Sequence, residues 1–293
     1  MTAQTVFTLI NHQNGNLAFK IYSFDDASSF DHLQRLNYYS IILVTNGRAQ
    51  IKADFSDYQI SNLSLLCFSS YQPFMVTDSE QLQGVVINFH PDFFCIHKHH
   101  KEVACNGVLF NNVYQPPFVN LNESQVKSFQ LLIEQMKEET QHVALAQYEL
   151  LISYLKIFLI NASRIKVAAN PHIQDSLEKH AEPFILQNLK DAIEQHYKEK
   201  HTASDYAELL NISPSALAKI SKTHFNKTLT DLISERIIIE AKRELYLTSK
   251  AVKQIAFDLG FNDEHYFSRF FKKNAEISPQ IYRDTVGFAR AEM

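Results

Sequence analysis

Residues 256–273 read AFDLGFNDEHYFSRFFKK, and this stretch decides the fold of the C-terminal part of the chain. It follows a short apolar helical run, 252–259. Gly260 can end that helix in the left-handed conformation, where only glycine carries no steric penalty. Asn262 or Asp263 can then cap the next helix through a side-chain oxygen. In that helix Phe267, Phe270 and Phe271 share one face, at helical spacing. His265, Ser268, Arg269 and Lys272 share the other. One face is built for a core, and the opposite face carries donors suited to base edges and phosphates. That is the pattern of a helix-turn-helix whose second helix enters a DNA groove.

The pattern occurs twice. Residues 206–223, YAELLNISPSALAKISKT, place a small residue at Ala207 and a turn at Asn211. Ser213 is a natural N-cap, and Pro214 falls at the first helical position, where its missing N–H costs nothing. Leu217 and Ile220 point inward. Ser215, Ala218, Lys219 and Lys222 point outward. The spacing from Ala256 to Arg269 exceeds that from Ala207 to Lys219 by one residue, in the second turn. A long helix over 229–247, with the apolar stripe Leu229, Leu232, Ile233, Ile237, Ala241 and Leu245, joins the two units. If both units engage one face of a duplex, their recognition helices sit about one helical turn, roughly 34 Å, apart.

With these motifs in order, residues from about 182 to 284 resemble the DNA-binding domain of the AraC/XylS family of bacterial transcription regulators. The matching segments are ISPSALAKI, ISERIIIEAKREL, IAFDLGFNDEHYFSRFFKK and ISPQIYR. The resemblance implies base contacts by Ser215, Ala218 and Lys219 in the first unit. In the second it implies them at Glu264, His265, Ser268 and Arg269. Arg269 can bridge guanine O6 and N7, so the second unit is expected to carry more base readout. Lys222, Lys272 and Lys273 suit phosphates, which position without specifying. The chain departs from the family pattern at three places. Ser221 stands where phenylalanine is usual, and Asn226 and Glu276 stand where glycine is usual. Asparagine tolerates the left-handed conformation better than glutamate does.

The 293 residues are long enough for two domains, and 45% hydrophobic with 20% charged residues indicates a globular chain. The net charge is −4, and residues 178–293 carry 17 basic and 17 acidic side chains. A DNA-binding domain is ordinarily basic, so the positive charge must be local to the outward helix faces. The N-terminus lacks a basic region and a long apolar run, no segment has the length of a membrane span, and three cysteines suit a reducing compartment. A cytoplasmic protein without a membrane partner is expected.

The fold class expected is α+β and multidomain. Residues 1–162 are read as a sensing and dimerisation domain, 163–181 as a linker, and 182–293 as an all-α domain with two helix-turn-helix units. Within the first domain, residues up to about 118 are strand-like. The runs 40–44 and 49–53 flank Asn46-Gly47, a two-residue hairpin signal. Further short runs at 63–68, 74–76 and 85–89 suggest a small barrel or sandwich. The resemblance implies a cupin-like effector-sensing barrel here, with Arg35, Tyr38 and Tyr39 as candidates to line its mouth. A surface aromatic cluster is the alternative reading of those three.

His97, His99 and His100, near His90, Cys95 and Cys105, supply metal-ligand types. They follow the last strand-like run, so a polar loop is the preferred reading, with no metal and no cofactor. A metal-dependent cupin enzyme would need ligands on strands. No phosphate loop or nucleophile elbow occurs either, so the chain is not expected to be an enzyme.

Two helices follow the barrel. The first starts at Asn122, with Gln125 placed for a capping box and Val126, Phe129, Ile133 and Met136 as its stripe. The second covers about 143–161, with a wide stripe of Tyr148, Leu151, Ile152, Leu155, Phe158 and Leu159. That width suggests a homodimer through helices 122–162. The expected function is sequence-specific binding to double-stranded promoter DNA, with RNA polymerase as a further partner. The resemblance makes an activator responding to a small molecule the expected regulator. A regulator with a filled barrel, controlled by a protein partner or constitutively, is the alternative.

Overall fold

Pairing in the N-terminal part is carried by two strands far longer than the sequence pattern suggests. The computed structural model describes residues 6–11, 15, 17–34, 36–54, 56–96, 99–103, 107–141, 143–169 and 184–286. They form two units: Met1–Asn112 with Pro116–Pro171, and Val113–Gln115 with His172–Met293.

The first unit holds β1 (Val6–Ile10), β2 (Leu17–Phe24), β3 (Tyr39–Ala53), β4 (Ser56–Ile60), β5 (Ser64–Phe68), β6 (Phe74–Phe89) and β7 (Phe118–Asn120). Its helices are α1 (His100–Val103), α2 (Glu123–Gln141) and α3 (Gln147–Ala169). The sheet order is β1-β2-β6-β3-β5-β7, with β4 also on β3. All these pairings are antiparallel. Among the described residues the sheet runs from β1 to β7 without closing, so an open antiparallel sheet stands where a cupin-like barrel is expected.

The expected Asn46-Gly47 hairpin is also absent. A tight two-residue turn of that type needs positive φ at both positions. Here Gly47 has φ +89°, while Asn46 is not among the residues with positive φ. The chain continues as one strand, and its pairing with β6 shifts on both sides of Asn46. Such a bulge bends a strand without ending it. A Cβ on Gly47 would meet the Gln81 carbonyl oxygen at 2.4 Å, so the bend needs glycine. Likewise 74–76 and 85–89 are the two ends of β6, not separate strands.

Alternation along the strands makes two cores. Ile41, Leu43, Leu65, Cys67, Ile87 and Phe89 pack with the buried stripes of α2 and α3. Ile42, Val44, Leu66, Phe68 and Val86 face a second core, shared with Ile51, Ile60 and Phe74 from beyond the bend. The sheet thus folds over on itself. Phe68 and Phe74 stack there at 3.9 Å between ring centroids, and Phe30 lies 6.4 Å from Phe74.

Helix α2 opens on the expected capping box. The Asn122 N–H donates to Gln125 Oε1, and the Gln125 N–H donates to Asn122 Oδ1. Val126, Phe129, Ile133 and Met136 are buried. Helix α3 starts at Gln147, not 143, and runs on to Ala169, so seven residues read as linker are helical. Its wide stripe is covered within the unit: Leu151, Leu155, Phe158 and Leu159 are buried, and Tyr148 and Ile152 lie against the same core. Lys166, buried in the last turns, donates to the Pro116 carbonyl at 2.9 Å. Burial lowers its pKa to about 8.

The second unit is helical: α4 (Phe184–His196), α5 (Ala203–Leu209), α6 (Pro214–Phe225), α7 (Leu229–Leu247), α8 (Val252–Asp258), α9 (Glu264–Ala275) and α10 (Pro279–Val286). Helix α7 has the bounds read from the sequence, and every residue of its expected stripe is buried. Capping boxes open α5 at Thr202 and Asp205, and α7 at Thr228 and Asp231. Among the described residues, no helix is long and apolar enough to cross a membrane.

Candidate nucleic-acid interface

Two helix pairs, α5–α6 and α8–α9, are built by the same backbone device. At the end of α5 the Ile212 N–H donates to the Ala207 carbonyl, and the Asn211 N–H donates to that of Glu208. At the end of α8 the Phe261 N–H donates to Ala256, and Gly260 donates to Phe257. Both are Schellman closures, which satisfy carbonyls the helix cannot. Asn211 (φ 54°) and Gly260 (φ 80°) take the left-handed position. Only Ile212 separates Asn211 from the Ser213 cap, while Phe261 and Asn262 separate Gly260 from the Asp263 cap. The extra residue in the second turn is where the spacing put it.

Asp263, rather than Asn262, caps α9, accepting from the Tyr266 N–H at 2.6 Å. Phe267 and Phe271 are fully buried, whereas Phe270 is half-buried, 5.1 Å from the Phe261 ring. In α6, Leu217 is fully buried and Ile220 half-buried. Ser221 fills the place of Phe271 and is also buried, its hydroxyl without a hydrogen-bond partner. Both recognition helices end in a left-handed residue, Asn226 (φ 54°) and Glu276 (φ 63°). The turn is therefore kept at Glu276 despite its side chain. A left-handed L-residue costs about 1–2 kcal/mol, and glycine escapes most of that. Glu276→Gly is accordingly expected to raise stability by about 1 kcal/mol, read by chemical unfolding of the full chain; a loss of stability would contradict it.

The expected contact residues divide by exposure. Ser215, Ala218, Lys219 and Lys222 are exposed on α6; His265, Arg269, Lys272 and Lys273 are exposed on α9. Glu264 and Ser268 are half-buried. One exposed aromatic on α9, Tyr266, was missed because its place in the pattern lies between the two faces.

The balanced charge of this unit has a structural explanation. An ionic chain runs along the joining helix: Glu194 to Arg236 at 2.8 Å, Arg236 to Glu240 at 3.4 Å, and Arg243 to Glu240 at 2.6 Å. It continues from Arg243 to Glu244 at 2.8 Å, Lys250 to Glu244 at 2.9 Å, and Lys250 to Asp258 at 2.8 Å. Lys227 pairs with Glu235 in the interior at 2.8 Å and donates to the Val113 carbonyl. Burial alone would raise the Glu240 carboxyl, but Arg243 and Arg236 outweigh it and hold it below the usual carboxylate range. These carboxylates are taken up inside the unit. Among the described residues, Lys219, Arg269, Lys272 and Lys273 form no ion pair, so their charge is left on the outward helix faces.

In the first unit, Tyr39 is buried against Phe89 and Phe110, at 5.2 and 5.1 Å between ring centroids. Tyr38 is half-buried, its ring 5.6 Å from His90. Arg35, His97 and Cys105 lie outside the described residues, and nothing is described of the His100 side chain. His99 pairs with Glu102 at 2.9 Å, and Lys156 with Glu102 at 2.6 Å. Among the described residues, no cluster of three or more His, Cys, Asp or Glu side chains is placed to hold a metal. Cys67 is buried, and burial pushes its thiol up to about 12.

Comparison with known proteins gives the same reading of the second unit. A family model described as a helix-turn-helix domain matches residues 206–285. The raffinose operon transcriptional regulatory protein RafR of Pediococcus pentosaceus is 29% identical over 140 residues, covering 48% of this chain and 46% of that protein. The HTH-type transcriptional activator RhaS of Enterobacter sp. (strain 638) is 26% identical over 173 residues, 58% of each chain. The chain thus spans about half the length of the curated relatives it matches. The crystal structure of ToxT from Vibrio cholerae O395 aligns over 98% of both chains at 16% identity, with a TM-score of 0.39. Residues 206–285 are a helix-turn-helix domain of the AraC type, the kind of DNA-binding domain found in the AraC/XylS family of bacterial transcription regulators.

Proposed function

We propose that this protein binds a specific double-stranded promoter sequence through both helix-turn-helix units and regulates transcription there, as an activator working with RNA polymerase. The observation that carries the reading is the outward face of α9. Arg269 and His265 stand exposed on a helix whose opposite face is locked by buried phenylalanines, with Lys272 and Lys273 alongside. A bidentate arginine is a common way to read guanine in the major groove. In α6 the outward residues Ser215, Ala218 and Lys219 are shorter or singly charged, so α9 carries more of the specificity. Glu264 and Ser268 contribute from the edge of that face, and Lys222 contacts phosphate. With α7 as spacer, the two units read adjacent major grooves about one helical turn apart.

The test is selection of bound duplexes from a random library by the full-length protein, with variants in parallel. Arg269→Ala should cost roughly 1–3 kcal/mol at one base position and relax preference there. Lys272→Ala should weaken all sequences alike and reduce the salt slope by about one unit. Identical effects of both variants on selected and random DNA would overturn these assignments.

Control by the first unit is part of the proposal. Its folded sheet buries Phe24, Phe30, Phe68 and Phe74 in one cluster, and Tyr39 is buried against the rings of Phe89 and Phe110. This favours control at the surface of the unit, by a protein partner or by a ligand in an open cleft. One polar cleft of about 490 Å³ is bordered by Arg48, Gln50, Gln59, Asp78 and Glu80. Among the described residues, Tyr38 is the expected effector contact that is partly accessible. An occupant that binds one arrangement of the protein better shifts the population competent for DNA. Leu131, Leu150 and Ile157 remain exposed on α2 and α3 and are the surface proposed for a homodimer. A monomeric mass at micromolar concentration, by sedimentation, would refute the dimer.

A further inference from the structure

The second recognition helix exposes an aromatic side chain that neither the sequence pattern nor the family resemblance assigns to DNA. Successive residues of a helix turn by about 100°. On α9 the buried pair Phe267 and Phe271 mark the inward direction. Opposite them stand Arg269 and, on either side of it, His265 and Lys273. Tyr266 is three residues before Arg269 and seven before Lys273, which places it on the same flank as Lys273. Glu264 and Ser268 lie nearer the seam with the core, and their partial burial agrees.

Tyr266 is 56% exposed. Its ring leans on Phe261 at 5.9 Å, and Phe261 is held in turn against Phe267 at 5.2 Å and Phe270 at 5.1 Å. Its N–H is the one that Asp263 caps, so its backbone is fixed in the first turn of the helix. The side chain is therefore a ring with few rotors, buttressed on one side and more than half exposed. Such a group loses little conformational entropy when it makes a contact. The matching position in the first helix-turn-helix is Ala216, exposed but without reach.

We propose that Tyr266 is a positioning residue for DNA, its hydroxyl donating to one backbone phosphate on the wall of the groove that α9 enters. The inference rests on the DNA-binding function proposed above. Phosphate is the expected partner for three reasons. Residues at the centre of the outward face meet base edges, and Tyr266 is on its flank. That flank also carries Lys273, which forms no ion pair among the described residues and favours an anionic wall. Finally, a phenol donates readily to phosphate oxygen, and such contacts set the register of a recognition helix without reading sequence. Tyr266 thus fixes the depth and angle at which Arg269 meets its base, a restraint the first helix-turn-helix lacks.

The experiment uses the full-length protein, the duplex it enriches from a random library, and an unrelated duplex. Tyr266→Phe is expected to weaken both by the same factor, roughly three- to tenfold, with base preference and melting temperature unchanged. Single methylphosphonate substitutions along the enriched duplex should then reveal one phosphate whose neutralisation weakens the wild type but not Tyr266→Phe. The inference is overturned if Tyr266→Phe binds as the wild type does. It is also overturned if the variant changes preference at a base, which marks a base contact, or if no phosphate shows the coupled loss. Arg269→Ala run in parallel separates the two levels. If that variant keeps full base preference, the DNA-reading assignment itself fails. If it loses preference while Tyr266→Phe is silent, only the role of Tyr266 fails.

Discussion

Replacing Gly260 by alanine is expected to destabilise the helical unit by roughly 3–5 kcal/mol, enough to unfold much of it at physiological temperature. Two causes add. Gly260 has φ +80°, where an L-residue costs about 1–2 kcal/mol. More severely, a Cβ there would lie 1.8 Å from the Lys198 carbonyl oxygen, a backbone atom that no side-chain rotation can move aside. The first helix-turn-helix shows that φ alone is not the demand, because Asn211 occupies the same step of its turn at φ 54°. Asparagine relieves the φ cost but still carries a Cβ. Gly260→Asn should therefore fail nearly as badly as Gly260→Ala in urea unfolding of the full chain. Recovery of most of the stability by asparagine would show that the Lys198 contact yields easily.

Phe267→Ala is the second large effect, expected to cost about 3–5 kcal/mol in the same assay. Phe267 is fully buried, with ring centroids of Phe261 and Phe271 at 5.2 and 6.0 Å. Its removal leaves a cavity where those rings meet, and they are held by the turn and by α9 itself, so collapse is limited. DNA binding should fall in proportion to the unfolded fraction, for every sequence alike, and recover at lower temperature or with stabilising osmolyte. Arg269→Ala should do the reverse, losing base preference with an unchanged melting temperature. A cost below about 1 kcal/mol for Phe267→Ala would mean that the α9 core repacks freely.

The helical unit was legible in the sequence because its instructions are local. The Ser213 cap, Pro214, Gly260, the stripe of α7 and the phenylalanine face of α9 each act within one or two helical turns, and each stands where its spacing placed it. The sheet was not legible in the same way. Asn46-Gly47 has the composition of a hairpin turn, but β6 passes beside it and pairs on both sides, so the glycine bends one strand instead of joining two. No residue near Asn46 carries that information; it resides in residues 74–89. The wide stripe of α3 was read as a surface needing a second subunit, yet α2 and the sheet cover most of it.

What the sequence alone determined is the identity of the two reading helices and which of their faces is core, since a helix face is defined by residues three and four apart. What only the tertiary structure decided is how that face is used. The Lys198 carbonyl turns Gly260 from a preference into a requirement. The pairing of Glu194, Glu240, Glu244 and Asp258 with Arg236, Arg243 and Lys250 gathers those charges away from the outward faces of α6 and α9. The packing of Phe261 stands Tyr266 up beside Arg269. Each of these depends on groups brought together from distant parts of the chain, and distance in sequence is what a local pattern does not carry.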